Sequence, residues 1–80
     1  MKRKFYAIYD KLAARYVYLF ESENNMTATR LFQSEAERED SMINNNPEDF
    51  KLCAVGEFDD INGEFANNFE KVCDAIKQEE

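Results

Sequence analysis

From Phe50 to Phe58 the chain alternates, with Phe50, Leu52, Ala54, Gly56 and Phe58 on one side and Lys51, Cys53, Val55 and Glu57 on the other. A period of two is the pattern of a strand, and the first set is the more apolar, so it should face the core. Asn44-Asn45-Asn46-Pro47 breaks whatever precedes it, because Asn bonds its own backbone and Pro lacks an amide donor. Gly56 weakens a strand intrinsically and so marks a bulge or a close packing contact. Asp59-Asp60 ends the strand. Asn62-Gly63 is a type I′ turn pattern, which would allow a short return strand over 64–66.

The same patterning divides the rest of the chain. Over 4–10, Phe5, Ala7 and Tyr9 alternate with Tyr6 and Ile8, which predicts a first strand covered at least partly on both faces. Over 15–21, Val17 and Leu19 face one way and Tyr16, Tyr18 and Phe20 the other, a second strand. The short connection through 10–14 makes the two strands antiparallel neighbours. It has no Gly, so it is not a two-residue turn, and it could hold one helical turn. Thr27 is placed to cap a helix from Ala28 to about Met42, with Ala28, Leu31, Phe32, Ala36, Met42 and Ile43 as its apolar stripe. The charged run 35–40 reads as a solvated face, mildly destabilised by the like-charged Glu35 and Glu39 four residues apart. Beyond Gly63, Asn67 or Asn68 can cap a second helix to about Gln78, with Phe65, Phe69, Val72, Cys73 and Ile76 on one face. The expected fold is α+β: a small three-stranded, mainly antiparallel sheet with two helices, in the order strand, strand, helix, strand, helix. Phe32, Ile43 and Phe69 would pack on one face of it. So small a sheet has exposed edges, which invites pairing into a dimer.

Eighty residues make one domain, 1–80, which buries only about 60% of its unfolded surface. Seven Phe and four Tyr help so small a core, and 44% hydrophobic residues argue against disorder. No apolar run approaches the roughly 20 residues of a membrane span, so no membrane contact is expected. Met1-Lys2-Arg3-Lys4 leads into a strand, not into a long apolar region, so no signal peptide is expected and the compartment should be a reducing cytoplasm. Cys53 and Cys73 then read as buried thiols. With no histidine there is no Ser-His or Cys-His nucleophile system, and zinc lacks a ligand set. With only Gly56 and Gly63 there is no glycine-rich phosphate loop. No catalytic residue, metal or cofactor is expected, and the chain should not be an enzyme. The carboxylates of Glu57, Asp59, Asp60 and Glu64 could hold a divalent cation. The competing reading is a solvated turn whose Asp side chains bond local amides.

Charge sharpens the picture. The net charge is −7, yet residues 1–34 carry six bases against three acids and residues 35–80 four against fourteen. If the chain touches DNA, the N-terminal third is the basic face. Tyr16, Tyr18 and Phe20, near Lys2, Arg3, Lys4, Arg15 and Arg30, could form a stacking platform with phosphate contacts. The alternatives are the underside of a small core or a self-association surface. The acidic remainder would recruit a basic partner.

Four segments in order, Tyr6-Ala7-Ile8-Tyr9-Asp10, Ala28-Thr29-Arg30-Leu31-Phe32, Pro47-Glu48-Asp49-Phe50-Lys51-Leu52 and Gly56-Glu57-Phe58-Asp59-Asp60-Ile61-Asn62-Gly63, give the chain a family likeness. It resembles the small nonstructural protein of gokushovirus-type microviruses, phages with single-stranded DNA genomes. The likeness covers about the first four-fifths of the chain. The helical reading of the tail departs from the short strand and apolar loop usual in that family. The resemblance implies a non-enzymatic nonstructural protein in the host cell cytoplasm. Such a protein would assist viral DNA replication, or the switch to single-stranded DNA synthesis and packaging. Its partners would be single-stranded DNA, contacted through Lys2, Arg3, Lys4, Arg15, Tyr16, Tyr18 and Arg30, or a viral replication or capsid protein. The alternative is an acidic interaction module that binds a viral or host protein without touching nucleic acid.

Overall fold

A computed structural model describes residues 1–75. Two strands, β1 (Lys2–Asp10) and β2 (Arg15–Ser22), lead into helix α1 (Asn25–Glu37) and a short helix α2 (Met42–Asn45). A 3₁₀ turn over Pro47–Asp49 then delivers the chain to β3 (Phe50–Asp59) and β4 (Phe65–Asp74). The four strands form one antiparallel sheet in the order β2-β1-β3-β4.

The helices cover one face of the sheet. Tyr6 and Ile8 of β1 meet Phe50 and Leu52 of β3 beneath Ala28, Phe32 and Ala36 of α1 and Ile43 of α2. Apolar burial of this kind is the main stabilising term, and here it runs through a few large side chains. The Tyr6 hydroxyl keeps a partner by donating to Asn25 Oδ1 at 2.7 Å, and its ring stacks on Phe20.

Helix boundaries follow capping chemistry. Asn24, not Thr27, is the N-cap: its side-chain oxygen accepts from the Thr27 amide at 2.8 Å. The helix stops at Glu37, short of the expected Met42, within the charged run. Ser41 then caps α2 by accepting from the Asn44 amide, while Asn44 Nδ2 donates to the Ala36 carbonyl at 2.8 Å and ties the two helices together.

Two expectations are corrected. The three-stranded α+β sheet with two helices is not what forms. The fold is a four-stranded antiparallel sheet with one full helix and a short helical turn, mostly β. The second helix, expected from Asn67 or Asn68 onward, is β4, an edge strand hydrogen-bonded to β3 from Phe65↔Phe58 to Asp74↔Lys51. Phe65, Phe69, Val72 and Cys73 satisfy a helical stripe, but they also fit an edge strand that leaves Phe65 and Phe69 exposed and packs Val72 and Cys73 against the core. Pairing with β3 supplies a ladder of seven register pairs that a short helix beginning in two Asn residues cannot match. Phe69 consequently lies on the sheet face opposite Phe32 and Ile43. Ile76 and Gln78 lie outside the described residues.

The turn joining β3 to β4 also differs from type I′. The Asp59 amide donates to the Glu64 carbonyl and the Gly63 amide to the Asp59 carbonyl, both at 2.8 Å, so four residues form the loop. Gly63 has φ +78° and Asn62 is not in the left-handed region. In the β1–β2 turn the left-handed position falls on Ala14, with φ 57°.

Candidate functional site

The carboxylate-rich bend shows what the Gly-Glu-Phe-Asp-Asp-x-x-Gly segment does. Asp59 Oδ1 accepts from the Ile61 amide at 2.9 Å, and this bond holds its carboxyl below the ordinary range. Asp60 Oδ1 pairs with the N-terminal amine at 2.9 Å. Among the described residues no group of acids or cysteines has metal-ligand geometry. Pro47, Glu48 and Asp49 form the 3₁₀ turn, and the Asp49 carbonyl accepts from the Lys11 amide at 2.7 Å, which docks the β1–β2 turn beside the start of β3. Gly56 sits at a register shift in both of its pairings, as a strand glycine should. A Cβ there would run into the Ala66 carbonyl oxygen and the Phe65 ring. This segment builds a hairpin. The positions Glu57 and Phe58 are its rails, with Glu57 opposite Lys4 and Phe58 opposite Arg3 and Phe65.

The other face of the sheet is covered by no described element. Cross-strand register assigns it Arg3, Phe5, Ala7 and Tyr9 from β1, Leu19 and Glu21 from β2, Cys53 from β3, and Phe65 from β4. Its floor is made of small residues, and two rings from the opposite edge strands close over it. Tyr16 of β2 and Phe69 of β4 meet edge to face, with centroids 5.8 Å apart. Ala7 and Cys53 lie under them, only 3% and 0% exposed although no helix covers them. Burial pushes the Cys53 thiol up, and it pushes the Tyr16 hydroxyl up as well. Tyr9 packs on Tyr16 at 4.6 Å and carries the Lys51 ammonium 5.1 Å above its ring, while Phe5 meets Phe65 edge to face at 6.0 Å.

This surface is apolar and close to neutral. Tyr16, Leu19, Phe65 and Phe69 are 50%, 63%, 46% and 55% exposed. Rings of this kind carry about 200 Å² each, so the three aromatics alone leave roughly 300 Å² in water. That is within the range of the largest patch on an ordinary monomer, and such patches are often functional. A groove runs between Ala7, Val17, Leu19, Val55 and the two bridging rings. The carboxylates on this face, Glu21 and Asp74, are both paired. Arg3 donates twice to Glu21 at 2.7 and 2.6 Å, and Lys71 donates to Asp74 at 2.8 Å. Each carboxyl is held below its ordinary range by that hydrogen bond.

The proposed DNA-contact residues do not converge. Tyr16 lies on the open face, but a bulge between the Ile8 and Tyr9 pairings turns Tyr18 to the helix side, opposite Ile8 and against Phe20. Arg3 is on the open face, at the end away from Tyr16, with its guanidinium engaged by Glu21. Lys2 and Lys4 point to the other side, opposite Asp59 and Glu57. Arg15 starts β2 opposite Asp10, and Arg30 is exposed on α1. Sequence reasoning missed Tyr9, Phe65, Phe69, Val55, Lys51 and Lys71. For β1 the cue was present, since Phe5, Ala7 and Tyr9 share one side of the alternation. For β4 it was hidden by the helical reading.

A family model described as Phage ORF5 protein matches residues 3–78. No curated protein and no solved structure matches the chain.

Proposed function

The chain belongs to the Phage ORF5 protein family, and on that premise we propose that it assists phage DNA replication, or the switch to single-stranded DNA synthesis and packaging, by contact and without catalysis. The observation that carries this reading is the open face of the sheet. A small domain that keeps Tyr16, Leu19, Phe65 and Phe69 in water beside a covered helical face is built to touch something. The acids support a protein partner. Glu35, Glu39, Asp40 and Glu48 lie on the helical side and its turns, a surface for a basic viral replication or capsid protein.

Direct contact with single-stranded DNA is the second reading. It is favoured by Tyr9, Tyr16 and Phe69 beside Lys51 and Lys71, since stacking platforms flanked by lysines hold single strands. Two phosphate contacts would give a logarithmic salt slope of only about −1.4.

Infection with a phage lacking this gene, with and without the protein supplied from a plasmid, tests the role. The expected result is that duplex replicative DNA accumulates normally while single-stranded viral DNA falls, and that supply of the protein restores it. An unchanged ratio of the two DNA forms would remove the proposal.

A further inference from the structure

We propose that the open sheet face is the interface of a homodimer, in which a second copy of this chain packs face to face over the Tyr16–Phe69 bridge. The inference rests on the reading that this face is the working surface, and it names the occupant.

Three observations favour a second copy over a nucleic acid. The first is charge. The chain carries −7, but the carboxylates on this face are already held by Arg3 and Lys71. It is the surface on which two acidic chains can meet with least repulsion. A polyanion would find Arg3 and Lys71 engaged with carboxylates and Lys51 over the Tyr9 ring.

The second is relief. Leu19 and Phe69 project beside a shallow groove lined by Tyr16, Val17 and Val55. Under a twofold axis the projecting side chains of one copy can enter the groove of the other, as an isologous contact requires.

The third is size. Four strands about 4.8 Å apart and about eight residues long, at about 3.3 Å each, give a flat footprint of roughly 500 Å². Projecting rings raise the accessible area toward the roughly 600–800 Å² per partner of the smaller stable interfaces. Area does not set affinity, but contacts at that end of the range include weak and transient ones, and the proposed dimer is a reversible one of that kind.

In such a dimer both helical layers face outward, so the acidic surface is doubled toward a basic partner.

Sedimentation equilibrium through the micromolar range tests this, on the wild-type chain and on Leu19→Lys and Phe69→Lys. Both positions are more than half exposed, and because Phe69 also shelters Ala7 and Cys53, circular dichroism verifies the fold of each variant. Leu31→Lys, half exposed on α1 at the opposite face of the sheet, is the control. The expected result is a species of twice 9.4 kDa that dissociates on dilution. The two face variants weaken it at least tenfold and the control leaves it unchanged. Added salt strengthens it by screening net charge, the opposite sign to DNA binding. A chain that stays monomeric at every concentration overturns the proposal. So does a dimer indifferent to both face variants, which would place the contact on an edge strand. So does a single-stranded oligonucleotide that binds the monomer and quenches its tyrosine fluorescence. A monomer whose face variants still fail in infection removes the dimer and leaves the contact role standing. A dimer whose disruption leaves viral DNA unchanged does the reverse.

Discussion

Gly56→Ala is the substitution that probes this fold most sharply, because one methyl group is set against the backbone of the strand that sequence patterning mistook for a helix. Gly56 has no left-handed φ, so the cost is one of space and not of dihedral strain. The new Cβ would meet the Ala66 carbonyl oxygen at less than van der Waals distance, with the Phe65 ring atoms at 2.9 and 3.0 Å behind it. A ring can swing away, but a carbonyl fixed in a ladder moves only if β4 moves. Overpacking of this kind costs about 1–3 kcal/mol. In a domain of this size each kcal/mol lowers the melting midpoint by about 4–8 °C, so the expected loss is roughly 5–20 °C. Thermal melting followed by far-ultraviolet circular dichroism measures it. Hydrogen exchange on the 65–74 amides shows whether the loss begins in β4. Gly63 is the matched control. It has open space around it and φ +78°, so Gly63→Asn, which tolerates that conformation, should cost little, while Gly56→Asn should cost more than Gly56→Ala. A Gly56→Ala protein that melts within about 2 °C of wild type, on the scale set by that conversion, would refute the β3–β4 packing described above.

Other outcomes follow from the same contacts. Leu52→Ala, at a position with no exposure beneath α1, should cost about 2–5 kcal/mol and leave much of the chain unfolded in a urea titration. Ala14→Gly relieves a left-handed alanine in the β1–β2 turn and should raise the melting midpoint by a few degrees, about 0.5–1 kcal/mol. Glu21, Asp59 and Asp74 are all held below the ordinary carboxylate range, by Arg3, the Ile61 amide and Lys71 in turn. Their contribution is therefore present above the unfolded carboxylate range and is lost as pH falls through the depressed values, so melting midpoints should decline below about pH 4. Asp59→Asn should make that decline shallower.

The strands β1 and β3 were readable in the sequence because they carry buried residues at alternate positions beneath the helices, and β2, exposed over 15–19, was readable from the alternation of Val17 and Leu19 with its Tyr and Phe residues. The helix was readable from its apolar stripe of Ala28, Phe32 and Ala36, with its cap misplaced by three residues because Asn24 and Thr27 are both residue types that cap. The strand β4 was not readable by that route. It is an edge strand whose residues 65–71 are all exposed, so no buried face imposes alternation, and Phe65, Phe69, Val72 and Cys73 fit a helix by spacing alone. The return turn at Gly63 is the available clue, but turn chemistry alone predicts a return strand only over 64–66. The working surface was hidden twice over. One extra residue in β2 puts Tyr16 and Tyr18 on opposite faces, and a bulge of that kind has no reliable residue signature. Tyr16 then finds Phe69, a partner more than fifty positions away that only the sheet order brings near. Lys2, Arg3 and Lys4 looked like one basic patch in sequence, but strand alternation sends Arg3 to one face and the two lysines to the other.

The account depends most on the open face being the surface through which the protein acts. The direct measurement is the yield of single-stranded viral DNA in infections supplied with wild-type protein, with a Tyr16→Ala and Phe69→Ala double variant, or with Leu31→Ala, each verified as folded. The account predicts that the double variant loses at least nine-tenths of the single-stranded DNA restored by the wild type, while Leu31→Ala restores it fully. Full restoration by the double variant would contradict it.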